Sequence, residues 1–168
     1  YALPGSVLAV GIMISFNHLD DWAAQLQTAM GLPVQPLFIG GVMALLLAYL
    51  TRFLAAAFGP VETSLERIKP SIPEAAAILG ARQWETVRRI YLPMLGPGLL
   101  TALLLVFVDV MKEMPATLLM RPFGWDTLAV RIYEMTNEGL WQRAALPGLT
   151  LVLVGLLPVA ILVRRSDR

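Results

Sequence analysis

No cysteine occurs in the 168 residues, which removes disulfide frameworks, thiolate metal sites and thiol catalysis together. Histidine is almost as scarce: His18 stands alone in a polar stretch, too little for a metal centre built on imidazole. Charged residues make up 15% of the chain, against about 25% in a soluble domain. The 13 basic and 12 acidic residues leave a net charge of +1, and no Arg-rich stripe interleaves with aromatics, so a basic nucleic-acid binder is excluded. Lysine occurs only at Lys69 and Lys112, neither in the G-x-x-x-x-G-K-[ST] setting that cradles phosphates, so the chain has no nucleotide-binding loop of that kind. What remains is apolar. Hydrophobic residues reach 57% and mean hydropathy is +0.68, too oily for a water-facing surface and typical of a membrane protein.

A transmembrane helix needs about 20 apolar residues to cross roughly 30 Å of hydrocarbon, so uncharged windows identify the spans. Four are expected, at about 1–16, 34–51, 94–111 and 144–163, each helical because lipid offers no partner to a free N–H or C=O. Between them, Lys and Arg number none in 17–33, six from Arg52 to Arg89, four from Lys112 to Arg143 and three at Arg164, Arg165 and Arg168. Basic residues favour the cytoplasmic side, which points the 52–93 loop and the C-terminus inward and 17–33 outward. The chain opens at Tyr1 within an apolar run, and it is read as a piece excised from a longer protein.

Residues 59–93 carry charge at helical spacing that a simple connector would not need. Pro60 is expected at the first turn of a short helix that Pro70 ends. Ser71-Ile72-Pro73-Glu74 has the spacing of a capping box, in which the Ser71 hydroxyl would accept from the N3 amide while Glu74 reaches back. The helix that follows ends at Gly80, the residue best suited to positive φ at a helix end, and a third helix, Arg82–Tyr91, leads to Leu92-Pro93. The small face Ala75-Ala76-Ala77 permits close approach of another backbone, with Leu79, Trp84, Val87 and Ile90 as apolar contacts. Helices this short are marginal in water unless something packs on them. Either the hairpin lies on its own bundle or it is a docking surface.

Glu74-Ala75-Ala76, three residues, Gly80, nine residues and Ile90-x-Leu92-Pro93 resemble the EAA loop of the membrane subunits of binding-protein-dependent ABC importers. Longer stretches, Leu47–Ala55 and Phe107–Glu134 among them, resemble the ferric-iron permease branch. The resemblance implies an all-α, polytopic bundle comprising the last four spans of a six-span permease half, multi-pass in the cytoplasmic (inner) membrane of a bacterium, with 59–93 as the cytoplasmic coupling loop. It implies a cytosolic ABC ATPase dimer contacted by Glu74, Ala75, Ala76, Gly80 and Arg82, a periplasmic or lipid-anchored substrate-binding protein, and a second permease half. ATP and Mg would be bound by the ATPase, with no cofactor and no catalytic residue in this chain. Ferric iron is the substrate the branch implies. Sulfate, thiamine, a polyamine or a phosphonate would use the same loop, and a non-transport scaffold or intramembrane enzyme is the rival of another class.

Asp109, Lys112 and Glu113 lie at i, i+3 and i+4 near the outer end of the third span, on one helical face. Ionisable groups at such depth are costly and face a bundle interior or wet cavity. They line the translocation path, or they form a self-neutralising cluster that orients the helix. No resident metal site is expected, because conduction requires the substrate to leave. In the outward segment 112–143, Thr117–Met120 reads as a short helical segment, 121–126 as a turn, and the stretch from Leu128 as an interfacial helix. Arg52 is expected to snorkel or to pair with Glu62 or Glu66.

Overall fold

The computed structural model describes residues 4–166. All regular structure among them is helical: α1 (Gly5–Ala29), α2 (Val42–Glu66), α3 (Ser71–Ile78), α4 (Gln83–Thr86), a π-helical turn (Val87–Tyr91), α5 (Leu92–Met111), α6 (Pro115–Met120), α7 (Leu128–Asn137) and α8 (Trp141–Ser166). Three helical runs are long and apolar enough to cross a membrane, Val42–Glu66, Gln83–Met111 and Trp141–Arg164. Most large apolar side chains along them are exposed, as expected where lipid or further helices replace water. Helices α2 and α5 form the most extensive pair; α7 packs on α8, α8 on α5, and α1 on α6 and α2.

The α2–α5 pair is close because Gly98 presents no side chain. A Cβ there would stand 2.5 Å from the Pro60 carbonyl oxygen and 2.2 Å from Ser64 Oγ, so the two backbones meet as small residues allow in lipid-embedded helices. A small apolar core of Ala9, Ala44, Leu45, Ala48, Ala116 and Met120 joins α1, α2 and α6.

Several boundaries differ from the sequence expectation. Helix α1 does not stop near Phe16 but runs to Ala29, carrying Asn17, His18, Asp20 and Asp21, because loss of hydrophobicity alone does not break a helix and no proline or glycine intervenes after Gly11. It ends where Leu32 N–H bonds Gln27 O (2.9 Å) and Gly31, at φ +69°, bonds Thr28 O (3.1 Å), the paired geometry that closes a helix on a glycine. Helix α2 begins at Val42 rather than near 34, since Pro33, Pro36 and Gly40-Gly41 deny the helix its entry. The 30–41 connection is instead tied to α1. Asp20 accepts from the N–H groups of Leu37 (2.7 Å), Phe38 (3.0 Å) and Ile39 (2.8 Å), and Gln27 exchanges two bonds with the Gln35 backbone at 2.8 and 3.2 Å.

Pro60 does not open a new helix; it lies inside α2, which continues to Glu66 against α5. Nor does the helix expected over Arg82–Tyr91 stop before the span. Gln83–Met111 is one run whose register shifts through the π turn, where Leu92 N–H bonds Val87 O. Pro93 explains the shift: its ring would crowd the carbonyl four residues back and it supplies no N–H, so the chain widens by one residue at this point. The capping box at Ser71 does not form either. Pro70 is the N-cap, Ser71 is already helical, no side chain caps that end, and Glu74 N–H bonds Pro70 O at 3.3 Å.

Candidate functional site

Two groups of residues stand out, one on the α3–α4 loop and one inside the bundle. Helix α3 carries Glu74 and Ala75 on exposed positions and Ala76 half-buried. Its end is set by Gly80 at φ +80°: Ala81 N–H reaches Ala76 O (3.0 Å) and Gly80 N–H reaches Ala77 O (3.0 Å). That pair of bonds requires the left-handed conformation at residue 80, which glycine adopts without the Cβ penalty. Arg82 then opens α4 in extended geometry, and its N–H is held by Glu85 Oε2 at 3.1 Å. Around this frame Ile78 is 87% exposed, Leu79 86% and Trp84 72%. Three large apolar side chains this open on one short loop form an exposed apolar patch. The hairpin does not bury them on its own bundle.

The second group is polar and enclosed. Glu113, two residues beyond α5, is 5% exposed, and its Oε2 lies 3.0 Å from Arg52 Nε of α2. Its Oε1 accepts from Ala116 N–H at 3.0 Å, and its carbonyl accepts from Thr117 Oγ1 at 2.8 Å. Thr117, fully buried, shares a hydrogen bond with the Tyr49 hydroxyl. Gly5 closes the cluster from α1, for a Cβ there would lie 2.6 Å from Glu113 Oε1 and 2.8 Å from Arg52 Nη1. A buried ion pair of this kind holds because each ion keeps its counter-charge and the carboxylate has further donors; removing one partner leaves an uncompensated charge.

The three residues expected on one face therefore separate. Asp109 and Lys112 form an ion pair at 2.8 Å. Glu113 instead turns to Arg52, which correspondingly does not pair with Glu62 or Glu66; α5 ends at Met111, so the helical face that grouped the three residues stops before Glu113. Beyond α6, Arg121 pairs with Asp126 and with Glu134, and Arg131 with Asp126 at 3.6 Å, a network that fastens the 121–127 turn to α7. Thr127 starts α7, accepting from Val130 N–H at 3.4 Å. The fully exposed Phe123 and the exposed Trp125 sit at that turn. Of these ion pairs only Arg52–Glu113 joins residues far apart in sequence; the others link residues three to thirteen positions apart. Among the described residues no three His, Asp or Glu side chains converge as they would on a metal ion.

Outside the bundle, burial raises the Asp20 carboxyl but the three N–H donors of Leu37, Phe38 and Ile39 outweigh it, and the group titrates below the ordinary aspartate value.

Residues 1–168 match the family described as binding-protein-dependent transport system inner membrane component. Over 168 residues the chain is 31% identical to a protein of Salmonella typhimurium whose name assigns it to a 2-aminoethylphosphonate transport system as permease, covering 99% of this chain and 57% of that one. It is 29% identical over 163 residues to an Fe(3+)-transport system permease protein of Haemophilus influenzae, covering 96% of this chain and 29% of the relative. A relative from Chlorella vulgaris, named for sulfate transport, is 27% identical over 165 residues, 96% of this chain and 60% of its own length. The chain thus spans less than two thirds of each of these relatives.

Proposed function

Since the chain belongs to the family of binding-protein-dependent transport system inner membrane components, we propose that it is the permease component of an ATP-driven importer and carries part of the translocation pathway across the cytoplasmic membrane. ATP is hydrolysed by a separate cytosolic ABC ATPase dimer, and Glu74, Ala75, Ala76, Gly80 and Arg82 form the surface through which that dimer moves the spans. The observation that carries this reading is the α3–α4 loop: a short helix closed on Gly80 with Ile78, Leu79 and Trp84 exposed, joined without interruption to the membrane-length run Gln83–Met111. Closure of the ATPase on ATP would shift the loop and, through that run, the bundle. The loop and the C-terminus face the cytoplasm, the 112–143 segment faces a substrate-binding protein, and a second permease half completes the pathway. Asp109 and Lys112 lie at the end of α5 beside it.

Ferric iron is the substrate favoured by the likeness of Phe107–Glu134 to the iron branch and by the Haemophilus relative. A second reading, 2-aminoethylphosphonate, is favoured by the Salmonella relative, which matches almost the whole chain. Uptake by membrane vesicles holding the full-length parent, its ATPase and its binding protein decides between them, with radiolabelled ferric iron, 2-aminoethylphosphonate, sulfate, thiamine and putrescine offered in turn. Iron uptake that needs ATP and disappears in Glu74→Lys, with insertion unchanged, is the expected result. Phosphonate uptake instead keeps the mechanism and replaces the substrate. A Glu74→Lys variant that transports and binds the ATPase normally refutes the coupling role.

A further inference from the structure

Arg52 is the only charged residue from Val42 to Val61. Val42 and Glu62 lie ten positions to either side, so at 1.5 Å per residue Arg52 is about 15 Å from either end of that stretch, well inside a helix long and apolar enough to cross a membrane. An ionisable side chain at that depth is disfavoured unless paired, and such residues mark working parts of membrane proteins. Its partner, Glu113, comes from the junction between α5 and α6. One carboxylate therefore binds α2 through Arg52 and fixes the first turn of α6 through Ala116 N–H, while the α1 backbone at Gly5 packs directly over the pair.

The opposite end of the same helical run is Gln83, next to Arg82 in the exposed loop. A run of 29 residues is about 44 Å long, which places the exposed loop at one end of a rod and the buried ion pair just past the other. We infer that the Arg52–Glu113 pair is the positioning contact that delivers movement of the α3–α4 loop to α1 and α2. With the pair intact, the outer end of α5 cannot slide along α2 without separating two charges in a medium of low dielectric, so the rod takes α2 and the α1 backbone with it. The inference rests on the importer reading.

The test uses the full-length parent with its ATPase and binding protein in proteoliposomes, and compares wild type with Glu113→Gln, the apolar double variant R52M/E113M and the exchanged pair R52E/E113R. Melting temperature, ATPase co-purification, ATP hydrolysis and substrate taken up per ATP are measured for each. A buried pair replaced on both sides by apolar residues commonly keeps or gains stability, so R52M/E113M is expected to melt near wild type and to bind the ATPase. Its uptake per ATP is expected to fall at least about fivefold, the lower range of coupling between sites, with R52E/E113R recovering part of the loss. Wild-type uptake per ATP in R52M/E113M overturns the inference. So does a set of variants in which uptake falls only in step with melting temperature and the exchange restores neither, for that is the behaviour of a purely structural pair. Absence of ATP-driven uptake in the wild type is a separate outcome that refutes the importer reading itself and the inference with it.

Discussion

Replacement of Gly98 by alanine tests the packing of the α2–α5 pair directly. The added methyl would lie 2.2 Å from Ser64 Oγ, 2.7 Å from Ser64 Cβ and 2.5 Å from the Pro60 carbonyl oxygen. Ser64 can change rotamer to move its hydroxyl, but the carbonyl is backbone and must recede by about 0.9 Å to reach an ordinary contact near 3.4 Å. Overpacking of this kind costs about 1–3 kcal/mol, and the helix propensity gained by alanine over glycine returns about 1 kcal/mol, so a net loss of up to about 2 kcal/mol is expected at the main helix interface. Gly96 supplies the control, since a Cβ there meets nothing within 4 Å, and Gly96→Ala should be neutral or stabilising by up to about 1 kcal/mol. The assay is thermal unfolding of the detergent-solubilised full-length parent, followed by size-exclusion chromatography. The double variant S64G/G98A should recover part of the loss because it removes two of the three close atoms while leaving the Pro60 carbonyl. A Gly98→Ala protein as stable as Gly96→Ala would refute the close approach of α2 and α5 on which the bundle description depends.

Gly80→Ala should strain the end of α3, because φ +80° costs a side-chain-bearing residue about 1–2 kcal/mol; ATPase co-purification should weaken while membrane insertion is unchanged. Thr127→Ala removes the side-chain acceptor at the start of α7 and should lower stability by about 1 kcal/mol, read from hydrogen exchange of the first-turn amides. Asp20 titrates below the ordinary aspartate value, so its contribution is fully present above pH about 4, the unfolded value, and is lost as pH falls through the lower folded value. Exchange of the Leu37, Phe38 and Ile39 amides should accelerate only in that acidic range, and Asp20→Asn should show faster exchange already at neutral pH; equal protection in both proteins would refute the assignment.

What could be read from the sequence was local or compositional. Three of the four uncharged windows overlap helices long and apolar enough to cross a membrane, whereas the first overlaps α1, which is not among them; the fixed residues of the loop identified a helix closed at Gly80 because that conformation narrows the choice to glycine. Boundaries were less legible. Pro60 and Pro93 look like helix breaks, yet α2 runs through the first and a π turn absorbs the second; a packed neighbour along α5 stabilises what local propensity opposes. Asp20 and Gln27 looked like loop residues, but each is a helical position whose side chain meets the backbone of the 30–41 connection. The polar core was the least legible part. Spacing put Glu113 on a face with Asp109 and Lys112, whereas its partner lies 61 residues earlier in the chain, and no periodicity encodes such a pairing. The expected span of 34–51 left Arg52 outside it, and its place inside a membrane-length helix became visible only with α2 running from Val42 to Glu66.

Two of the contacts along the extensive α2–α5 interface and its extension limit how the pair can move. Gly98 meets Pro60 and Ser64 near the loop end, and Glu113 meets Arg52 at the far end. These contacts lie about ten residues apart on α2 and fifteen on α5 and its extension, so at 1.5 Å per residue they are separated by roughly 15–20 Å. The first contact is a steric fit that resists approach but tolerates small rotations; the second is an ion pair that resists separation. A rod held by one contact could pivot about it, and a rod held by two at this separation cannot pivot independently of its neighbour without breaking one of them. Under the importer reading, a force applied at α3 therefore turns α2 and α5 as a single body, and the motion that opens the pathway is to be sought between this pair and α7–α8, where α8 touches α5 less extensively than α2 does. Disulfide trapping in the full-length parent separates the cases. A cross-link between α2 and α5 should leave uptake intact, whereas one between α5 and α8 should stop it, and the reverse result would mean that the α2–α5 interface is where the transporter moves.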